Sequence, residues 1–150
     1  MDLILWRHAE AEEGTPDESR VLTARGERQA QRMAKWLKPR LRSPLRVLVS
    51  PAIRAQQTAE ALGHPIETFA ELDVDAQSQH VLGAIDWNEE TGMLLLVGHQ
   101  PTLGEIAGRL LAGVPSGGDI KKGAMWWFRI EFVDEKMQST LYAVMTPGLA

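Results

Sequence analysis

The sequence predicts an α/β fold: a three-layer α/β/α sandwich around a mostly parallel central sheet, closed by a C-terminal β-hairpin. Three observations predict it. Apolar runs such as Leu3–Trp6 and Met93–Val97 are short and continuous, as in strands buried on both faces. Stretches of helical spacing separate these runs, the order expected of a parallel sheet. After Gly117-Gly118 the apolar period changes to two, as in an antiparallel pair.

Each element follows in turn. Leu3–Trp6 is the first strand, and the acidic, aperiodic stretch from Ala9 to Arg20, with Gly14 and Pro16, is a loop. Thr23 is placed to cap a helix whose inner face is Ala30, Met33, Ala34, Leu37 and Leu41, and Pro39 ends it near Lys38. Leu45–Val49 is a second strand. Ser50-Pro51 reads as cap and first turn of the next helix, with Ala52, Ala55, Ala59 and Leu62 inward and Gly63 at its end. Pro65–Phe69 is a candidate third strand. A helix over 77–88 turns Val81, Leu82 and Ile85 inward, Met93–Val97 is the clearest buried strand, and Pro101 opens a helix carrying Leu103, Ile106, Ala107, Leu110 and Leu111. In the hairpin, Trp126, Phe128, Ile130 and Phe132 alternate with Trp127, Arg129 and Glu131. Asp134-Glu135-Lys136 turns the chain, and Leu141–Met145 pairs back.

With 150 residues, 44% apolar and 24% charged, the chain fits one globular domain spanning 1–150. No apolar run is long enough to cross a bilayer, so no membrane partner is expected. The N-terminus reads as a strand rather than an export signal, which favours a cytoplasmic location. There is no cysteine, which removes thiol chemistry, disulfides and cysteine metal sites. No histidine pair has zinc spacing on one helix, so no metal or other cofactor is expected. A net charge of −4 gives no global reason to bind nucleic acid. The charge is uneven, however. Arg25, Arg28, Arg32, Lys35, Lys38, Arg40, Arg42 and Arg46 lie close together with Glu27 as the one acid among them. Such a cluster is ordinarily a solvated helix face; the alternative is a docking surface for an acidic or phosphorylated partner.

Three segments share one design, in which a buried strand ends, polar residues follow, and a loop or helix begins. They are Trp6-Arg7-His8-Ala9, Val49-Ser50-Pro51-Ala52-Ile53-Arg54 and Val97-Gly98-His99-Gln100-Pro101. Ligands of open α/β sheets bind beyond the carboxyl ends of the strands. If the three strands are neighbours, Arg7, His8, Arg54 and His99 converge there. Two arginines, two histidines and two helix N-termini suit a phosphoryl dianion. A neutral imidazole can attack phosphorus if its second nitrogen is held by an acceptor. The remaining cationic groups can stabilise the equatorial oxygens. Taken singly, each segment is common; in this order, all at strand ends, they point to phosphoryl chemistry. His64, in a Gly-His-Pro turn, and His80, among polar neighbours, are expected to stand outside it.

The same segments, together with Leu22–Ala30 and Ser50–Ala59, resemble the histidine phosphatase superfamily, and the likeness covers nearly the whole chain. The resemblance implies a phosphoglycerate-mutase-like fold. It also implies His8 as nucleophile, through a covalent phosphohistidine intermediate, with Arg7, Arg54 and His99 as the phosphate-binding and catalytic pocket. The short chain looks most like the SixA branch, the protein phosphohistidine phosphatases. The connection from Thr68 to Met93 has room for little beyond one helix, which predicts an open, shallow site. The expected substrate is a phosphorylated protein, such as a histidine phosphorelay domain. A small phosphate ester is the first alternative, and a non-catalytic phosphoprotein-binding module is the alternative of another class.

Two departures from the family pattern stand out. Ala9 occupies the place of a usual glycine, where a methyl group disfavours positive φ. No general acid is evident: Glu10, Glu12, Asp17, Glu18, Glu71 and Asp73 lie near loops, and each reads first as a surface acid. A phosphorylated imidazole makes a smaller demand for such an acid than an ester does, because its distal nitrogen, with a pKa near ~6.5, can take a proton from solvent.

Overall fold

The computed structural model describes the backbone of residues 1–150 and every side chain other than that of Glu89. Its main elements run β1 (Asp2–Arg7), α1 (Ala24–Leu37), β2 (Leu45–Val49), α2 (Ile53–Glu60), β3 (Glu67–Thr68), α3 (Ser78–Ala84), β4 (Met93–Gly98), α4 (Thr102–Ala112), β5 (Met125–Val133) and β6 (Lys136–Met145). One sheet holds all six strands in the order β3-β2-β4-β1-β5-β6. The pairings β3–β2, β2–β4 and β4–β1 are parallel; β1–β5 and β5–β6 are antiparallel. The expected mostly parallel sandwich with a terminal hairpin is therefore the fold.

The strand pleat separates two cores. Leu3, Leu5, Leu94 and Leu96 pack with Val81 of α3 and Leu103 and Ile106 of α4 on one face. Ile4, Trp6, Leu95 and Val97 pack with Met33 and Leu37 of α1 and Ala55 of α2 on the other. β1 and β4 are covered on both faces, which explains their unbroken apolar sequence. Among the described residues no helix is long and apolar enough to cross a membrane.

Several boundaries move from where the sequence put them. Ser50 is not a helix cap: α2 begins at Ile53 with Ala52 in the N-cap position, and the Ser50 hydroxyl turns to His99 instead. α2 ends at Glu60, three residues before Gly63. β3 keeps only two residues of the expected 65–69. α3 stops at Ala84, where Trp87 Nε1 donates to the carbonyl of Leu82 at 2.8 Å and so takes an acceptor that a further helical turn would use. Trp127 faces inward, 4% exposed, because β5 lies between β1 and β6 and has helices on both sides of its first half. β6 is longer than Leu141–Met145: Asp134 and Glu135 both take positive φ, 52° and 63°, which lets the ladder start at once with Val133 opposite Lys136.

The start of α1 fixes the loop that follows β1. Thr23 caps the helix as expected, its Oγ1 accepting from Gly26 N at 2.9 Å and donating to Glu10 Oε2 at 2.7 Å. A Cβ at Gly26 would overlap the carbonyl oxygen of Glu10. Replacing a helical glycine by alanine ordinarily stabilises by up to about 1 kcal/mol. Gly26→Ala is expected to do the reverse, costing about 1–3 kcal/mol as an overpacking change. Chemical denaturation measures it, and a stabilised Gly26→Ala protein would show that the contact with Glu10 is not tight.

Candidate active site

The site begins with strand register. Trp6 lies opposite Val97, and Val97 opposite Val49, so β1, β4 and β2 end in one row. His8 N donates to Gly98 O and Ser50 N to Val97 O, each at 3.0 Å, carrying that row one residue further. Arg7, His8, Arg54 and His99 are thereby brought to one end of the sheet. The His8 and His99 rings lie 5.2 Å apart, centre to centre. His8, Arg54 and His99 are 6%, 3% and 4% exposed, so the pocket is largely withdrawn from water.

Two hydrogen bonds define the His8 tautomer. Nδ1 lies 2.8 Å from the carbonyl of Ala9, which can only accept. Arg54 Nε donates toward His8 Nε2 at 3.4 Å. The ring proton is therefore on Nδ1, and the Nε2 lone pair faces the pocket. A second relay sets His99. Ser50 Oγ accepts from Ala52 N at 3.2 Å and is hydrogen-bonded to His99 Nε2 at 2.7 Å, which fixes the orientation of that ring. His99 Nδ1 is buried and has no partner in the protein. Arg7 donates through Nη1 to Ile120 O at 3.0 Å, while its buried Nε is likewise unpartnered. Buried donors are rarely left unmet. Here two unpartnered nitrogens, Arg7 Nε and His99 Nδ1, belong to residues close enough to His8 to shift its charge, an arrangement fit for the oxygens of a phosphoryl group.

Arg54 sits in the first turn of α2 and is held by Asp17, whose carbonyl and Oδ2 accept from Nη1 and Nη2 at 2.7 and 2.9 Å. This pairing offsets the cost of burying a guanidinium and turns its Nε edge toward His8. Arg20 grips the same carboxylate at 3.0 Å. Asp17 is accordingly held below the usual carboxylate range, first by Arg20 and then by Arg54, and stays ionised. Of the six acids considered from sequence, Asp17 alone is hydrogen-bonded to a pocket residue, and its charge state suits an orienting anion better than a proton donor. Glu10 points instead to Thr23 and Arg25. The Asp73 carboxylate accepts from Val74 N.

Ala9 resolves the first departure. It avoids positive φ and its methyl is fully buried against Leu22 and Ala30. Its backbone N–H donates to Thr58 Oγ1 at 3.0 Å, and Thr58 in turn donates to Arg54 O at 2.7 Å. That relay ties the His8 loop to α2. Ser50 and Thr58 carry no site signal in the sequence, where one reads as a cap and the other as an interior helix position. At the start of α4, where the sequence points to free amides, Leu103 N donates to His99 O at 3.0 Å and the Gln100 side chain caps Gly104 N at 2.8 Å. His64 bonds to Pro65 O and His80 is exposed on α3, both without contact to the pocket. Among the described residues no three His, Cys, Asp or Glu side chains cluster in a way that could hold a metal.

Two buried histidines and two arginines gathered at the ends of parallel strands suit a phosphoryl group. The chain matches the histidine phosphatase superfamily (branch 1) over residues 3–77. It is 31% identical to the phosphohistidine phosphatase SixA homolog of Haemophilus influenzae, over 73% of this chain and 77% of that one. It is 32% identical to phosphohistidine phosphatase SixA of Escherichia coli, over 75% and 76%. A solved structure of the protein histidine phosphatase SixA complexed with tungstate superposes with a TM-score of 0.83 at 29% identity, covering 99% of this chain and 98% of that one. This chain belongs to the histidine phosphatase superfamily.

The buried pocket sets the charge of both histidines. Burial pushes His8 down to about 3, helped by His99, Arg54 and Arg7 and opposed by the bond to Ala9. Burial pushes His99 down to about 4, helped by Arg54 and opposed by Asp17. Both are therefore neutral throughout the physiological range. In the unfolded chain they would bind protons near ~6.5, so the fold loses stability as pH falls below that value and through the folded ones. NMR is expected to find the ring signals of both residues static between about pH 8 and 5, whereas a midpoint near 6.5 for either would contradict this. In Ser50→Ala, the ¹⁵N shifts of His99 should move from one tautomer toward a mixture; unchanged shifts would remove Ser50 from the relay.

Proposed function

We propose that this chain hydrolyses phosphohistidine in a partner protein, with His8 as the nucleophile. The observation that carries the reading is the neutral His8 ring, fixed by Ala9 O at Nδ1, whose Nε2 lone pair accepts only the 3.4 Å contact from Arg54 Nε that a phosphoryl oxygen can take over, in a pocket where Arg7 Nε and His99 Nδ1 have no partner. His8 Nε2 attacks phosphorus and the P–N bond to the substrate imidazole breaks, leaving that ring neutral if its distal nitrogen was protonated. The new phosphoimidazolium keeps its proton on Nδ1, facing Ala9 O. Water then attacks phosphorus, the second P–N bond breaks, and His8 returns neutral with release of phosphate. Arg7, Arg54 and His99 bind the equatorial oxygens, whose charge the two guanidiniums balance.

Transfer from one imidazole to another needs no strong general acid, because the two leaving groups have similar basicity. That agrees with a pocket whose nearest carboxylate, Asp17, is held ionised by two arginines. The connection between β3 and β4 supplies only α3 and short turns, and α3 is tied to α4 by Arg109 Nε donating to Ser78 Oγ at 3.0 Å. Little chain is thus available to form a lid, which favours a substrate presented by another protein. The names of the similar proteins, phosphohistidine phosphatases, support the same substrate class.

The test has three parts. His8→Ala should abolish turnover while leaving a folded protein, and wild-type enzyme quenched during turnover should carry a phosphoryl label stable to alkali and lost in acid. Arg54→Ala should lower kcat by ~10²–10³, with a smaller effect on KM. Activity should survive exhaustive chelation. Wild-type turnover in His8→Ala would remove the mechanism. A small phosphate ester preferred by orders of magnitude over phosphohistidine proteins would keep the chemistry and change the substrate.

A further inference from the structure

Beside the catalytic pocket lies a cleft of about 500 Å³ between α1 and the tail that follows β6, lined by Arg25, Arg28, Arg32 and Lys122 with Gln29, Pro147 and Gly148. The fold selects this set from a longer basic run. Lys35, Lys38, Arg40, Arg42 and Arg46 are outside its lining, while Lys122, nearly a hundred residues away in sequence, is brought in. The cleft holds four cationic side chains and little to neutralise them. Arg25 approaches Glu10 at 3.7 Å, and Arg32 Nη2 donates to Ala150 O at 3.4 Å. Lys122 and Arg28 form no ion pair among the described residues.

The cleft walls are bonded to the loop that carries His8. Gly123, next to Lys122, donates its N–H to the carbonyl of His8 at 3.0 Å. Gln29 in the cleft wall accepts from Glu10 N at 3.0 Å, two residues from His8. A Cβ at Gly123, whose φ is +78°, would meet Pro147 at 2.9 Å and Gln29 at 3.6 Å, so tail, helix and His8 loop converge at this glycine. From there Arg25, Arg28 and Arg32 step along α1 for roughly 10 Å. Along this strip Glu27 and, at 3.7 Å from Arg25, Glu10 are the acids nearby, so Arg28, Arg32 and Lys122 keep an uncompensated charge.

We infer that this cleft docks the acidic surface around the phosphohistidine of a partner protein, holding that surface while the phosphorylated ring enters the pocket. The inference rests on the phosphohistidine reading above for its substrate and on the cleft alone for its surface. All four side chains are exposed or half-free of partners and stand outside the reacting atoms, so their reversal should leave the chemistry untouched. Their potential should extend over about 8–10 Å at moderate salt, enough to steer a partner and too short to act beyond the contact.

The experiment compares wild type with Arg28→Glu, Arg32→Glu and Lys122→Glu, singly and together. Two substrates are used: a histidine-phosphotransfer domain with acidic residues around its phosphorylated histidine, and free phosphohistidine. The triple variant is expected to lose ~10-fold or more in kcat/KM on the domain and nothing on free phosphohistidine, with the wild-type advantage shrinking as salt rises from about 0.05 to 0.5 M. Equal losses on both substrates would mean that the residues act on the pocket, and no loss on the domain would mean a merely solvated face; either overturns docking. Binding of the unphosphorylated domain to His8→Ala enzyme, with and without the reversals, reads the surface without turnover. Should wild type fail to hydrolyse any phosphohistidine, the catalytic reading falls. Docking would then stand or fall on that binding measurement, in which loss on charge reversal supports it and indifference overturns it. Retention by anionic vesicles in preference to the domain would assign the cleft to a membrane surface instead.

Discussion

The pocket depends on one constraint: the parallel register of β2, β4 and β1. With Val49, Val97 and Trp6 in a single row, the residues that follow each strand emerge side by side. A slip of one residue in any pairing would move each buried side chain into the opposite core and would also send His8 or His99 away from the other. The apolar fit of the two cores therefore does two things at once. It stabilises the sheet and it sets, within hydrogen-bonding tolerance, the separation of the two imidazoles.

Given that register, the electrostatics follow from burial. Arg54 is almost fully enclosed, and a lone guanidinium there would be costly; Asp17 and the carbonyl beside it make its enclosure tolerable. Arg20 and Arg54 in turn keep Asp17 ionised, and desolvation, helped by Arg54, keeps the histidines neutral. The result is a pocket with fixed positive groups and uncharged nucleophilic nitrogens. A phosphoryl dianion gains from the former without the latter having to lose a proton first. Ser50 and Thr58 complete it from below, one setting a ring and the other tying the His8 loop to α2.

The strand ends, the Asp17 loop and the start of α2 bury the His8 ring to 6% exposure. What remains at the surface is the basic cleft along α1, where long side chains keep their charged ends in water.

Sequence by itself determined the order of elements, the two-sided burial of β1 and β4, the capping of α1 by Thr23 and the three strand-end segments that hold Arg7, His8, Arg54 and His99. Each of these is local: continuous apolar runs, helical spacing, a cap or a turn can be read from neighbours in the chain. Only the tertiary structure decided that Ser50 faces His99, that Asp17 clasps Arg54, that Trp127 turns inward and that Lys122 joins the arginines of α1. Those depend on which strands pair and on what packs over them. A serine before a helix looks like a cap until a histidine 49 residues away supplies a better partner. An aspartate in an acidic loop looks solvated until a buried guanidinium needs its charge. Polar side chains choose among partners by distance and by burial, and neither is fixed until the sheet has assembled.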